Sequence, residues 1–181
     1  MKYLKTYEQV NLEDDLINAS INNNLEKVKK LIKAGANLDL QDENENTALI
    51  WASFYNNIEI AKELINAGAN VDLQNIDGYT ALILASYRNN IKIAKKLIKA
   101  GANLDLQDNG GNTALILSLD KENIEILKEL IKAGADWNLK NNNDMNFLNY
   151  LKFDLKNQII IEFPEEYKLY LMKKDAEKYN I

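Results

Sequence analysis

The nine residues AGANLDLQD that begin at Ala34 return unchanged at Ala100, with AGANVDLQN between them at Ala67 and AGADWNLKN after them at Ala133, so one phrase recurs every 33 residues. That period constrains the fold more than any other feature of the chain. A unit this short cannot bury an apolar face alone, so its copies must stack and share one continuous core, with atypical units closing the two ends.

Set in register, NTALIWASFYNNIEIAKELINAGANVDLQN from Asn46, YTALILASYRNNIKIAKKLIKAGANLDLQD from Tyr79 and NTALILSLDKENIEILKELIKAGADWNLKN from Asn112 each read as two short helices and a turn. Thr47, Thr80 and Thr113 stand where an N-cap hydroxyl accepts an orphan backbone N–H. In the middle copy, Leu82, Ala85 and Ser86 mark one face of the first helix, Asn89-Asn90 ends it, and Ile91, Ala94, Leu97 and Ile98 form the apolar face of the second. Gly35, Gly68, Gly101 and Gly134 stop the second helices, because glycine enters the left-handed region without steric cost. LDLQD is then an extended arm that leads to a reversing loop such as Asn75-Ile76-Asp77-Gly78 or Asp108-Asn109-Gly110-Gly111.

The period, the order of turn, helix and helix, and GYTALILAS from Gly78, which aligns with the pattern G-x-T-P-L-H-x-A, resemble the ankyrin repeat. The resemblance runs over roughly residues 12 to 150 and implies an all-α solenoid with short β-hairpin-like turns, of about five repeats including atypical caps. One domain of 181 residues is expected, with 1–44 as an N-terminal cap, 45–143 as three regular repeats and 144–181 as a degenerate repeat with a capping helix. Two departures stand out. The family's proline is Ala48, Ala81 and Ala114, and its histidine is Ile50, Ile83 and Ile116. The resemblance implies that the histidine's hydrogen bond between neighbouring turns is lost, leaving the threonine caps to manage without it.

At the first unit, Lys27 occupies the place of Ile60, Ile93 and Ile126, which suits a charged outer face. The last unit keeps Phe147, Leu148, Tyr150 and Leu151 as a first-helix face, and Ile159, Ile160 and Phe163 suggest a shortened second helix cut at Pro164. PEEYKLYLMKKDAEKY then reads as one more helix, with Tyr167, Tyr170, Leu171 and Lys174 along one side, which either covers the end of the stack or docks a partner.

The residues offer little to catalysis. Cysteine and histidine are both absent, which removes the commonest zinc ligands and the commonest general base near neutral pH. DENENTALIWAS from Asp42 starts like a calcium loop but has Thr47 where the turn glycine belongs and Ser53 where the bidentate glutamate belongs. Gly110-Gly111 has no following Lys-Ser or Lys-Thr pair, and Asn18-Ala19-Ser20 lies inside a helix. Asp39, Asp72 and Asp105 recur at one phase, as architecture does, and Lys92, Lys95, Lys96 and Lys99 form a solvated stripe. No cofactor and no enzymatic activity are expected. A net charge of −5 disfavours nucleic acid and anionic membrane as partners. With no apolar run of spanning length and no signal-peptide core at the start, the expectation is a cytoplasmic monomer.

A stacked solenoid leaves a concave surface of turn tips and first helices, and the resemblance implies that its variable residues contact a partner protein. By register, the tip candidates are Glu43, Asn44 and Asn46, then Ile76, Asp77 and Tyr79, then Asn109, Gly110 and Asn112; the first-helix candidates are Phe54, Tyr55, Tyr87, Arg88, Asp120 and Lys121. Among them, Phe54, Tyr55, Ile76, Tyr79, Tyr87 and Arg88 make an aromatic patch with one guanidinium, of the residue types enriched at binding hot spots. Trp51, one position off that face, is expected to pack between repeats. A small ligand or peptide in the groove, or a purely structural scaffold, is the alternative reading.

Overall fold

The computed structural model describes residues 15–119 and 124–179, with backbone alone for 177–179. The helices are α1 (15–21), α2 (Leu25–Lys33), α3 (Ala48–Phe54), α4 (Ile58–Asn66), α5 (Ala81–Tyr87), α6 (Ile91–Lys99), α7 (Ala114–Leu117), α8 (Ile124–Lys132), α9 (Phe147–Tyr150), α10 (Phe153–Glu162) and α11 (Pro164–Tyr179). Successive pairs stack in two layers: α3, α5, α7 and α9 pack in one row, and α2, α4, α6 and α8 in a second. Among the described residues no strand forms; two isolated bridges, Gln107 with Thr113 and Lys140 with Asn146, are what remains of a hairpin.

The threonines cap as the sequence predicts. Thr47, Thr80 and Thr113 accept from the N–H of Ile50, Ile83 and Ile116 at 3.1, 3.1 and 3.3 Å. The first helices are buried far beyond a single face, however, with every residue from Ala81 to Ser86 inaccessible. A helix flanked by a neighbour on each side and by its own second helix has no outer face left to be polar, so a three-residue stripe understates it. The second helices are amphipathic: Ile93, Ala94 and Leu97 are buried, while Ile91 and Ile98 are half-buried.

The arm after each glycine is not simply extended. It turns at Val71-Asp72 and again at Leu104-Asp105. Asn70 and Asn103 side chains accept from the N–H of Asp72 and Asp105 at 3.0 Å, the local bond that makes asparagine a turn residue. The recurring aspartates then bind forward: Asp39, Asp72 and Asp105 accept from the N–H of Asn70, Asn103 and Asp136 at 2.7, 2.8 and 2.8 Å. Neighbouring turns are also tied where the threonines were expected to manage alone. Gln41, Gln74 and Gln107 each donate from Nε2 to a carbonyl of their own turn and to the carbonyl 33 residues on, of Gln74, Gln107 and Lys140, at 2.8, 2.8 and 2.9 Å. In the second row, buried Asn57 and Asn90 donate back to the carbonyls of Ser20 and Ser53 at 2.7 and 2.6 Å.

These ties orient the layers, and apolar burial holds them. Leu64, Leu97 and Leu130 are fully buried at one register position, each contributing about 1.5–3 kcal/mol, whereas a partly exposed pair such as Lys128–Glu162 at 2.7 Å contributes about 1 kcal/mol or less.

The ends are built differently. Lys27 pairs with Asp15 at 2.7 Å in place of the buried isoleucines of later copies. At the far end, α10 runs ten residues and is longer than the nine-residue second helices, against the expectation of a shortened one, because it begins directly after the extended Leu151-Lys152. Phe163 ends it and Pro164 starts α11, as expected. Trp137, at the position of Leu38, Val71 and Leu104, is buried beneath α11, with Tyr167 and Tyr170 each 6.4 Å away. Leu171, expected on that covering side, is exposed together with Leu169 and Met172.

The last turn also exchanges its polar pair: Asp136 stands where asparagine stood and Asn138 where aspartate stood. Asn138 directs both its backbone and side-chain N–H groups at Asp136, and the second Asp136 oxygen accepts from Lys173 of α11 at 2.8 Å.

Candidate functional site

Most of the candidate residues lie on α3 and α5 and on the turns before them. In α3, Trp51, Phe54 and Tyr55 fall three and four residues apart and therefore meet on one side of the helix. Trp51 and Tyr55 stack at 5.8 Å with 17° between planes, and Phe54 meets each edge-on, at 5.8 and 5.0 Å. Trp51 is half-buried and packs against the apolar core of the stack. Its Nε1 donates to Asp42 Oδ2 at 2.7 Å, which tethers the indole to the turn and holds it half-buried in the aromatic cluster. Asp42 is itself fixed by the N–H groups of Asn44 and Asn46, both at 2.9 Å.

Arg88, the C-cap of α5, reaches back one repeat and lays its guanidinium over Phe54, with Cζ 3.9 Å from the ring centroid and 5.9 Å from that of Tyr87. A cation over an aromatic face gains about 0.5–2 kcal/mol depending on exposure, enough to favour one orientation of a long side chain. Tyr55 is 49% exposed and Tyr87 36%, so the cluster presents ring edges and one cation to solvent.

The tip candidates divide. Ile76 and Asp77 are exposed. Tyr79 is half-buried, and burial first, then the Asp108 and Asp77 carboxylates and the Tyr87 ring, push its phenol pKa up, so it stays a neutral donor through physiological pH. Asn112 is committed to the framework: its amide donates to the Asp108 carboxylate at 3.2 Å, and its carbonyl accepts from Asn141 at 2.9 Å. Asn46 accepts from Asn75 in the same manner at 2.8 Å. Glu43, Asn44, Asn109 and Gly110 are exposed, with the Asn44 carbonyl accepting from the N–H of Ile76 at 3.1 Å and Asn109 Nδ2 donating to the Ile76 carbonyl at 2.8 Å. Asp120 and Lys121 lie outside the described residues.

One feature of this face has no counterpart in the sequence reading. A cleft of about 860 Å³ lies between α7 and α10, lined by Ile116, Leu117, Leu119, Ile124, Leu151 and Leu155, with Tyr87 and Tyr150 at its walls and Asn112, Lys152, Asp154 and Gln158 around it. It exists because α7 and α9 run four residues where α3 and α5 run seven. Ser118, in the register of Ala52 and Ala85, bonds through Oγ to the Leu115 carbonyl at 2.7 Å and caps α7 early. Leu151 leaves α9 in an extended conformation, with φ −70° and ψ 127°. Leu119, in the register of Ser53 and Ser86, could have been noticed as an apolar residue where the other copies are polar.

Among the described residues no group of three acidic, histidine or cysteine side chains could hold a metal ion, and no helix is long and apolar enough to cross a membrane. A family model described as ankyrin repeats (3 copies) matches residues 16–108 and 68–141. A comparison with curated proteins finds no match.

Proposed function

The chain belongs to the ankyrin-repeat family, and from that premise we propose that it holds a partner protein against the concave face of α3 and α5, by recognition without bond making. Ankyrin repeats are generally modules for protein–protein interaction. The observation that carries the finer reading is the cluster of Trp51, Phe54, Tyr55, Tyr87 and Arg88, in which rings and guanidinium brace one another and still reach solvent. Rigid aromatics and an oriented arginine lose little entropy on binding, which is why such residues dominate interface energetics. Ile76, Asp77 and Tyr79 extend the contact along the tips. The net charge of −5 favours a protein over a nucleic acid as the partner.

The test is capture of a partner from a native lysate by the full chain and by a Tyr87→Ala, Arg88→Ala double variant. Loss of capture is expected with unchanged helical circular dichroism and a melting point lowered only slightly, by the lost guanidinium–ring contact, since both side chains stand outside the buried core. Equal capture by both proteins removes the face from the proposal.

A further inference from the structure

The cleft and the Arg88 side chain are neighbours through one residue: Tyr87 walls the cleft, and its ring lies 5.9 Å from Arg88 Cζ. The cleft volume of about 860 Å³ falls within the range of about 300–1,000 Å³ typical of ligand pockets. Its aliphatic lining gains free energy when an apolar group displaces the water along it. The guanidinium has one face on Phe54, which leaves its N–H edge for a partner, and among the described residues it takes part in no ion pair. That planar fork matches the two oxygens of a carboxylate. Among the described lining residues Lys152 and Asp154 carry opposite charges, which leaves the neighbouring Arg88 to favour an anion.

We infer that the concave face recognises a peptide segment in which a large aliphatic or aromatic side chain sits close to a carboxylate, the side chain entering the cleft beside Tyr87 and the carboxylate pairing with Arg88. This rests on the protein-binding reading above and names the chemistry of the partner. The cleft belongs to the two shortened first helices, so the specificity is a property of this chain's departures from its own repeat.

The test is panning of a displayed library of random linear peptides of about twelve residues on the full chain, followed by calorimetric titration of the enriched sequences. Enriched peptides are expected to pair Leu, Ile, Phe or Met with a nearby Asp or Glu. Arg88→Gln and Ile124→Glu are each expected to weaken them about tenfold or more, with Arg88→Lys recovering only part of the loss. Ile124 is 36% exposed, so its replacement leaves the core intact; Leu155→Gln serves as a second cleft variant, and melting curves verify folding of each.

Peptides that lack an acid, or that ignore both cleft variants, overturn the inference. If such peptides are still lost on Tyr55→Ala, the protein-binding reading survives it, and if no concave-face substitution matters, both fall. Absence of enrichment overturns it as well, as does self-association of the full chain that Ile124→Glu abolishes, which would make a second copy the occupant.

Discussion

Gly78 and Gly101 both adopt left-handed backbone, with φ of +79° and +84°, yet they answer to different demands. A Cβ on Gly101 would meet nothing within 4 Å, whereas one on Gly78 would lie 2.8 Å from the N of Asn109 and 2.9 Å from the Asp108 Cα, in the next turn of the stack. Gly101→Ala should therefore cost the backbone strain alone, about 1–2 kcal/mol. Gly78→Ala should cost about 1–3 kcal/mol beyond that, because the next tip must shift to admit the methyl group. Urea denaturation of the two variants beside the wild type measures the difference, and equal losses would show that the tips are free to move apart. Glu45 and Asp144 hold the same register at φ of 61° and 59°, so the position demands left-handed backbone even where glycine is missing.

At the scale of the element, α11 is tied to the stack by the Trp137 sandwich and by the Asp136–Lys173 pair. Burial pushes the Asp136 pKa up, but the hydrogen bonds from Lys173 and from Asn138, backbone and side chain, together outweigh it and hold the pKa below the usual aspartate value. A depressed folded pKa means that the pair stabilises docking above the unfolded value of about 3.9 and that this contribution is lost as pH falls through the folded value. In a Trp51→Phe background, Trp137 emission should report undocking of α11 on acidification below about pH 4, and Asp136→Asn should remove that titration and weaken docking at neutral pH. A profile unchanged by Asp136→Asn would leave the rings to hold the helix alone. The elements themselves were legible, because Thr caps, Gly stops and a 33-residue phase are local signals repeated in register. What escaped depended on neighbours. The bond from Trp51 to Asp42 was hidden because nothing in the tryptophan's own helix announces that carboxylate, and the cleft follows from where two helices end, which Ser118 and Leu151 decide through one hydroxyl bond and one extended residue.

Among the described residues the principal helix contacts run within repeats and between adjacent ones, so stability is close to a sum of nearest-neighbour terms and the inner repeats, with two neighbours each, should unfold last. Hydrogen exchange is expected to protect α4, α5 and α6 most, with α9, α10 and α11 exchanging first, since the last unit has a four-residue first helix and stands at the end of the stack. Uniform protection along the chain would mean that the stack opens as a single block. In every regular turn an aspartate carboxylate stands ready to receive the next N–H, and at the last one Asn138 has turned its amide inward while Asp136 answers to α11. The array thus carries its own full stop, written in two exchanged letters: its length is punctuated by side-chain chemistry, and restoring the pair while deleting the final helix would leave a growing end to which another unit could be grafted.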